Sequence, residues 1–357
     1  MVVDAVLAAI LDAGLTPADV DGIMSDSIIM PVTVPHDYVA GQLGITRTYD
    51  ATISYGGAAM MCAPLLAAQA IKGGLAKVIV FYFGVDWGSR PGGPYGYHSL
   101  YPAKGVFEQP YGYSGQPAYF AMMARRYRET YGLPQEHLGR IALNQRHNAL
   151  LNGRAQVKAP LTLEGYLNGR PIADPLTLND CCVITDGVGA YVMTADDRAD
   201  SCAKRPVRVL GAGYAAEAIT ADDVFSQPDL TRFPAVEAAM ERALASADVT
   251  RDDIDFAEIY DCFSISCLLQ LEGLGFCKRG EGGAFVADGH TALDGKLPVN
   301  THGGFLSYSY RLGIEHVLEA VRQLRGEAGA AQLNDASVGL VTGLSVPEYG
   351  ALLLGRA

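Results

Sequence analysis

The chain has 357 residues, 49% of them hydrophobic, enough to bury a large core as two domains or one duplicated unit. Its formal net charge of −12 argues against a nucleic-acid partner, because phosphate binding needs a basic surface; an acidic ligand would need a local basic patch or a second protein. Seven cysteines, odd in number and mostly in apolar runs, with no Cys-x-x-Cys pair and no His-Glu-x-x-His motif, imply a reducing compartment and no metal site.

Met1 to Asp21 alternates apolar and acidic residues without a basic leader or cleavage site, so it reads as a helix (Ala5 to Leu11), an acidic turn and a strand rather than as a signal peptide. Gly56-Gly57 heads a helix ending in Ile71-Lys72-Gly73, which runs into a strand over Lys77 to Phe83. The longest apolar stretch, around Val78 to Val85, falls far short of the roughly 20 residues that span a bilayer, so a cytoplasmic protein without membrane contact is expected. Gly84 to Gln116, rich in Gly, Pro and Tyr, reads as a long loop.

The second half repeats the first. Ala247 to Asp255 matches Ala13 to Asp21, each after a helix-patterned run (Ala239 to Ala245 in the second case). Gly303-Gly304 heads a helix ending in Leu324-Arg325-Gly326, followed by a strand over Val338 to Thr342. The repeat predicts two α/β halves, 1–203 with an inserted region of about 84–165, and 204–357.

Three segments carry a family resemblance: Tyr260-Asp261-Cys262-Phe263, Leu297 through Gly304 (Leu-Pro-Val-Asn-Thr-His-Gly-Gly), and Glu319 through Gly326. They resemble the thiolase superfamily, and within it the sterol-carrier-protein thiolase and lipid-transfer-protein branch. Arg125-Arg126-Tyr127, Asp174-Pro175-Leu176 and Asp186 to Ala190 fit the same branch. The resemblance covers almost the whole chain, although the start looks short by a first strand before Met1. It implies a five-layered α/β/α/β/α thiolase fold of two similar halves, and dimers.

In thiolases of this branch a cysteine heads the central helix of the first half and carries the acyl group. That position here is Gly57. The histidine of the family's Gly-His-Pro element aligns with Tyr310, that of its His-Asp-Cys-Phe element with Tyr260, and the C-terminal cysteine loop offers Tyr349. This replacement pattern is similar to the thiolase-like aldolases of bacterial steroid side-chain breakdown. Those enzymes cleave a β-hydroxyacyl-CoA to a ketone and propionyl-CoA, with a small partner carrying an OB-fold and a zinc ribbon. The resemblance thus implies a homodimer core with two accessory chains, a CoA thioester as substrate and no other cofactor.

Retro-aldol cleavage needs a base for the β-hydroxyl and donors for the developing enolate, but no acyl-enzyme. The expected roles are base for Tyr349, donors for Tyr310 and Tyr260, an assisting His302, and Arg311 as the positive neighbour that a basic tyrosine needs. The backbone at Gly57, Gly303 and Gly304 would approach the thioester, and Arg125 and Arg126 would meet CoA phosphates. Each assignment has a plainer counterpart: buried tyrosines satisfy their hydroxyls locally, a histidine in a glycine-rich turn makes a structural hydrogen bond, glycine pairs pack tightly, and arginine-rich helix faces are solvated. Two other functions stay open. One is a Claisen thiolase using Cys62, the other a non-catalytic subunit that binds acyl-CoA or lipid.

Overall fold

The structure, a computed structural model, describes residues 1–26, 34–91, 93, 102–113, 115–199, 201–218 and 227–357. The first half supplies α1 (Val2–Asp12), β1 (Gly22–Asp26), α2 (His36–Leu43), β2 (Tyr49–Ile53), α3 (Ala59–Lys72), β3 (Val78–Asp86), α4 (Gln116–Tyr131), α5 (Gln135–Asn152), β4 (Pro171–Ala173), β5 (Leu176–Thr177) and β6 (Asp186–Thr194). The second supplies β7 (Val207–Ala216), α6 (Pro234–Ala247), β8 (Phe256–Glu258), α7 (Ser264–Gly273), α8 (Ile314–Arg325), β9 (Val338–Ser345) and β10 (Glu348–Arg356). Among the described residues no helix is long and apolar enough to cross a membrane.

Strand β3 shows how the layers arise. Successive side chains on a strand point to opposite faces, and here both faces are apolar. Val78, Val80 and Tyr82 join Val6 and Ile10 of α1 in an outer cluster, whereas Ile79, Phe81 and Phe83 join Met60, Ala63 and Ala67 of α3 in the central core. A sheet buried on both faces needs helices on both. The first sheet runs β2-β1-β3-β6, with β1 parallel to β2 and β3, and β6 antiparallel to β3. The second runs β7-β10-β9-β8, with β8 parallel to β9 and the other pairs antiparallel. Helices α3 and α8 pack between the two sheets, α1 covers the outer face of the first, and α6 covers the outer face of the second. This is the expected five-layered α/β/α/β/α thiolase fold.

The matched turns are alike in atomic detail. Thr16 N and Oγ1 donate to Asp19 Oδ2, and Thr250 N and Oγ1 donate to Asp253 Oδ2, all at 2.7–2.9 Å. Two residues on, Asp21 accepts from Lys77 N and Val78 N at the start of β3, and Asp255 accepts from Ser337 N and Val338 N at the start of β9. One aspartate in each half thus fastens the neighbouring parallel strand.

Two expectations about local structure change. Gly303-Gly304 does not head a helix: Gly303 has φ 107° and Gly304 φ 58°, left-handed values that suit glycine, and the amides of Phe305 and Leu306 are taken by the Asp261 carboxylate. The chain makes a five-residue π turn, Gly304–Tyr308, and α8 begins only at Ile314. Within the expected long loop, β3 extends to Asp86 and a short helix covers Pro102–Phe107; residues 92, 94–101 and 114 of that loop lie outside the described residues.

Candidate active site

The position that the family resemblance gives to the nucleophilic cysteine is filled. Gly57 sits in the 3-10 turn before α3, and a Cβ built on it would lie 2.2 Å from Leu344 O and 2.6 Å from Tyr260 Cε2. The Tyr260 ring takes the volume a cysteine side chain would need, so Gly57 is explained by this close approach. The Tyr260 hydroxyl lies 2.7 Å from the Tyr310 hydroxyl. Tyr260 is 3% exposed and Tyr310 is half-buried, so Tyr310 is the more accessible member of the pair. Phe305 packs against both rings, at 4.8 and 4.9 Å between centroids, and Trp87 lies 4.9 Å from Tyr310. Burial pushes both phenols well above their ordinary pKa, for Tyr310 with its neighbour Tyr260 adding to the effect. Both rest as neutral hydroxyls.

The backbone of Tyr260 is fixed at both ends. Its N–H donates to Thr342 Oγ1 at 2.9 Å, and its carbonyl accepts from Gln270 Nε2 at 2.6 Å. Gln270 Oε1 in turn accepts from Thr342 Oγ1 at 3.0 Å and from the Tyr349 hydroxyl at 2.9 Å. This places Tyr349 elsewhere than expected. It is fully buried, burial raises its pKa, and its hydroxyl is committed to Gln270. The reason is strand register: its neighbour Gly350 faces Ala58 and Met61 near the tyrosine pair, so the pleat turns Tyr349 to the opposite face. The base role does not fit Tyr349, which supports Tyr260 through Gln270. Tyr349→Phe leaves Gln270 still held by Thr342, so it should lower kcat by less than about tenfold, a small part of what losing a general acid or base costs.

Arg311 is also turned away from the pair. Its guanidinium donates to Val188 O and Ser309 Oγ and lies 3.7 Å from Glu315, so Tyr310 has no cation of that origin. Tyr310 is held instead by its own amide, which donates to Thr185 Oγ1 at 3.0 Å.

His302 is fully buried, and its ring nitrogens point to Glu258 and His316 rather than to the tyrosine pair. Its Nδ1 lies 2.9 Å from Glu258 Oε2 and its Nε2 3.2 Å from His316 Nδ1. His316 Nε2 meets the Ile259 carbonyl at 3.0 Å and Asp261 Oδ1 at 3.3 Å. Glu258, His302 and His316 bring potential metal-ligand atoms within 4.8 Å of one another, the one such group among the described residues. Each ring nitrogen already faces a partner, His302 Nδ1 the Glu258 carboxylate, His302 Nε2 the His316 Nδ1, and His316 Nε2 the Ile259 carbonyl and Asp261, which is the pattern of a hydrogen-bonded chain rather than of a coordination sphere. Sequence reasoning missed Glu258 and His316. Their one visible signal is a charged residue inside the strand before Tyr260 and a histidine on the apolar face of α8.

The remaining candidates fall outside the tyrosine cluster or have packing roles. A Cβ on Gly303 would lie 2.4 Å from Ala149 Cβ, and one on Gly304 2.3 Å from Asp261 Oδ2, so this pair serves close packing and the π turn. Arg125 and Arg126 are exposed on α4, and Arg125 reaches Glu129 and Asp174. Cys62 lies buried inside α3, and burial followed by Glu348 pushes its thiol up to about 12, far from a reactive thiolate. Cys62→Ala should keep activity within about threefold of wild type, because a small buried cysteine acts as core; turnover measured before and after thiol blocking checks this.

Known proteins agree with this fold. Residues 216–348 match a family model described as thiolase C-terminal domain-like. A steroid side-chain-cleaving aldolase of Thermomonospora curvata is 36% identical over 98% of this chain and 91% of its own. A 17-hydroxy-3-oxo-4-pregnene-20-carboxyl-CoA lyase of Mycobacterium tuberculosis is 35% identical over 98% and 92%. A solved structure described as "Ltp2-ChsH2(DUF35) aldolase" superposes with a TM-score of 0.90 at 35% identity, covering 99% of this chain and 91% of that one. The chain therefore belongs to the thiolase superfamily, in the branch that contains the steroid side-chain-cleaving aldolases.

Proposed function

We propose that this chain is a carbon–carbon lyase that cleaves a β-hydroxyacyl-CoA by retro-aldol chemistry, with a steroid side-chain thioester as substrate. The observation that carries the proposal is Tyr260 standing in the volume of the lost cysteine with its hydroxyl 2.7 Å from that of Tyr310. An acyl-enzyme has no place to form there, but a hydroxyl donor and acceptor do stand together. The steroid substrate rests on the two aldolase relatives at 35–36% identity.

The overall reaction moves one hydrogen from the β-hydroxyl to Cα. As the Cα–Cβ bond breaks, its electron pair passes into the thioester enolate and the β-oxygen becomes a ketone; Tyr310 gives its own phenolic proton to Cα in step with taking the proton of the β-hydroxyl, its proton leaving slightly ahead, which yields a short acyl-CoA such as propionyl-CoA. Tyr260 donates to the Tyr310 oxygen and steadies it while it carries partial negative charge. Both phenols begin and end neutral, so no standing tyrosinate is needed and the raised pKa values are no obstacle.

A small accessory protein with an OB-fold and zinc ribbon completes the assembly in this proposal, two copies on a homodimer of this chain. Support comes from the solved aldolase, whose description joins two components, and from this chain's charge of −12, which suits a second protein for handling an acidic thioester. Val106, Phe107 and Tyr111, 63–79% exposed, give apolar surface for such a contact. Arg125 and Arg126 stay candidates for the CoA phosphates. The test is to mix the purified chain, with and without the accessory protein, with a steroid β-hydroxyacyl-CoA and follow products by mass. Ketone and short acyl-CoA in equal amounts support the lyase; saturable binding with intact substrate in both mixtures assigns the chain as a binding subunit.

A further inference from the structure

Beneath the tyrosine pair, the chain Glu258–His302–His316 has a proton count that its geometry fixes. His316 Nε2 faces two acceptors, the Ile259 carbonyl and Asp261 Oδ1, and so carries hydrogen. That leaves two contacts, His316 Nδ1 to His302 Nε2 at 3.2 Å and His302 Nδ1 to Glu258 Oε2 at 2.9 Å. Among the described residues His302 Nδ1 and Glu258 Oε2 have no hydrogen-bond partner elsewhere. An ionised Glu258 and two neutral imidazoles offer one hydrogen for both contacts. Put it on His302 Nδ1, and two ring lone pairs meet at 3.2 Å. Put it on Nε2, and a lone pair meets a carboxylate oxygen. With all three side chains fully buried, either arrangement leaves an unmatched polar contact worth about 1–3 kcal/mol. One further proton closes the chain, whichever of the three groups carries it.

We propose that Glu258, His302 and His316 are positioning residues that share one additional proton, and that its loss at alkaline pH loosens the Tyr260–Tyr310 pair. The inference rests on the aldolase reading for what the pair does. The link is physical contact. The His316 ring stacks flat on Phe305, 4.1 Å between centroids at 3°, and Phe305 packs against both tyrosines. Asp261, next to Tyr260, faces His316 and holds the Phe305 amide.

The charged surroundings favour the extra proton. Glu319 shares the Thr301 hydroxyl with Glu258, at 3.1 and 2.7 Å, and Glu315 and Asp261 add negative charge around His302. Arg322, 3.7 Å from Glu319, opposes them. Burial raises the Glu258 carboxyl to about 7 against the partial offset of His316 and Thr301, and burial lowers His302, so the proton sits mainly on Glu258. Glu258 unfolded releases its proton near 4.5. Its favourable contribution is therefore whole below about 4.5 and is lost as pH rises through about 7.

Glu258→Gln tests this, because the amide imitates the protonated acid: its oxygen accepts from Thr301 and its NH₂ donates to His302 Nδ1. With steroid β-hydroxyacyl-CoA as probe, wild-type kcat should fall about tenfold between pH 6.5 and 8.5, and that of E258Q less than about threefold. A parallel series of thermal melts from pH 5 to 8.5 needs no turnover: wild-type Tm should decline with pH and E258Q should decline less. Histidine side-chain ¹⁵N spectra of the wild-type protein add a third readout, in which the His302 ring should change as Glu258 releases its proton. Equal Tm slopes in the two proteins, histidine signals unchanged from pH 5 to 8.5, or a stoichiometric bound metal would overturn the proposal. Altered Tm slopes without any turnover would sink the aldolase reading and leave the shared proton standing.

Discussion

Replacing Tyr310 with Phe is expected to lower kcat by about 10²–10⁴-fold, the range for loss of a positioned general acid or base, with the fold intact. Tyr310 is half-buried, and among the described residues its hydroxyl has one hydrogen-bond partner, the Tyr260 hydroxyl. Its ring stays fixed by Trp87 and Phe305, and its amide by Thr185. Deleting the oxygen therefore removes one hydrogen bond, about 1 kcal/mol of stability. The expected signature is a lost kcat with nearly unchanged KM and a Tm within a few degrees of wild type. Tyr260→Phe should lose less, since it removes the supporting donor and keeps the shuttle. If Tyr349→Phe were the more damaging change, the assignment of the pair would be wrong.

Restoring the cysteine is the second large effect. Gly57→Cys puts Cβ 2.2 Å from Leu344 O and 2.6 Å from the Tyr260 ring. Neither neighbour can give way cheaply. The Leu344 carbonyl belongs to β9, paired with β10, and the Tyr260 backbone is clamped by Thr342 and Gln270. Overpacking of this kind costs about 1–3 kcal/mol or more. Thermal melts of Gly57→Cys should show that loss, and assays should show neither retained lyase activity nor new thiolase activity. Combining it with Tyr260→His, which shrinks the ring, should cost less than the sum of the single changes, because residues in contact couple. Additive losses would mean that Tyr260 does not fill the cysteine's place.

The two α/β halves were legible because they are written in periodicity and repeat, and the family resemblance supplied the five layers. β3 alternates between two apolar clusters, and the acidic turns Thr16–Asp19 and Thr250–Asp253 recur with the same spacing and make the same hydrogen bonds. The family resemblance led to Gly57, Tyr260 and Tyr310 through its matched motifs. Spacing failed at Tyr349, where the direction of a side chain depends on strand register rather than on distance along the chain. It failed again at Gly303-Gly304, since a glycine pair before a helix looks the same in sequence whether its amides serve a ligand or the Asp261 carboxylate. Glu258 and His316 were beyond reach for a related reason: 44 residues separate Glu258 from His302, and only the fold brings them together.

The most direct measurement is a single turnover without free CoA. Enzyme in excess is mixed with a steroid β-hydroxyacyl-CoA and quenched at intervals, and small molecules and intact protein are weighed by mass spectrometry. A retro-aldolase should release ketone and short acyl-CoA in equal amounts at every time point, with the protein mass unchanged. Products that appear only when CoA is added, or a protein carrying an acyl group, would contradict the account.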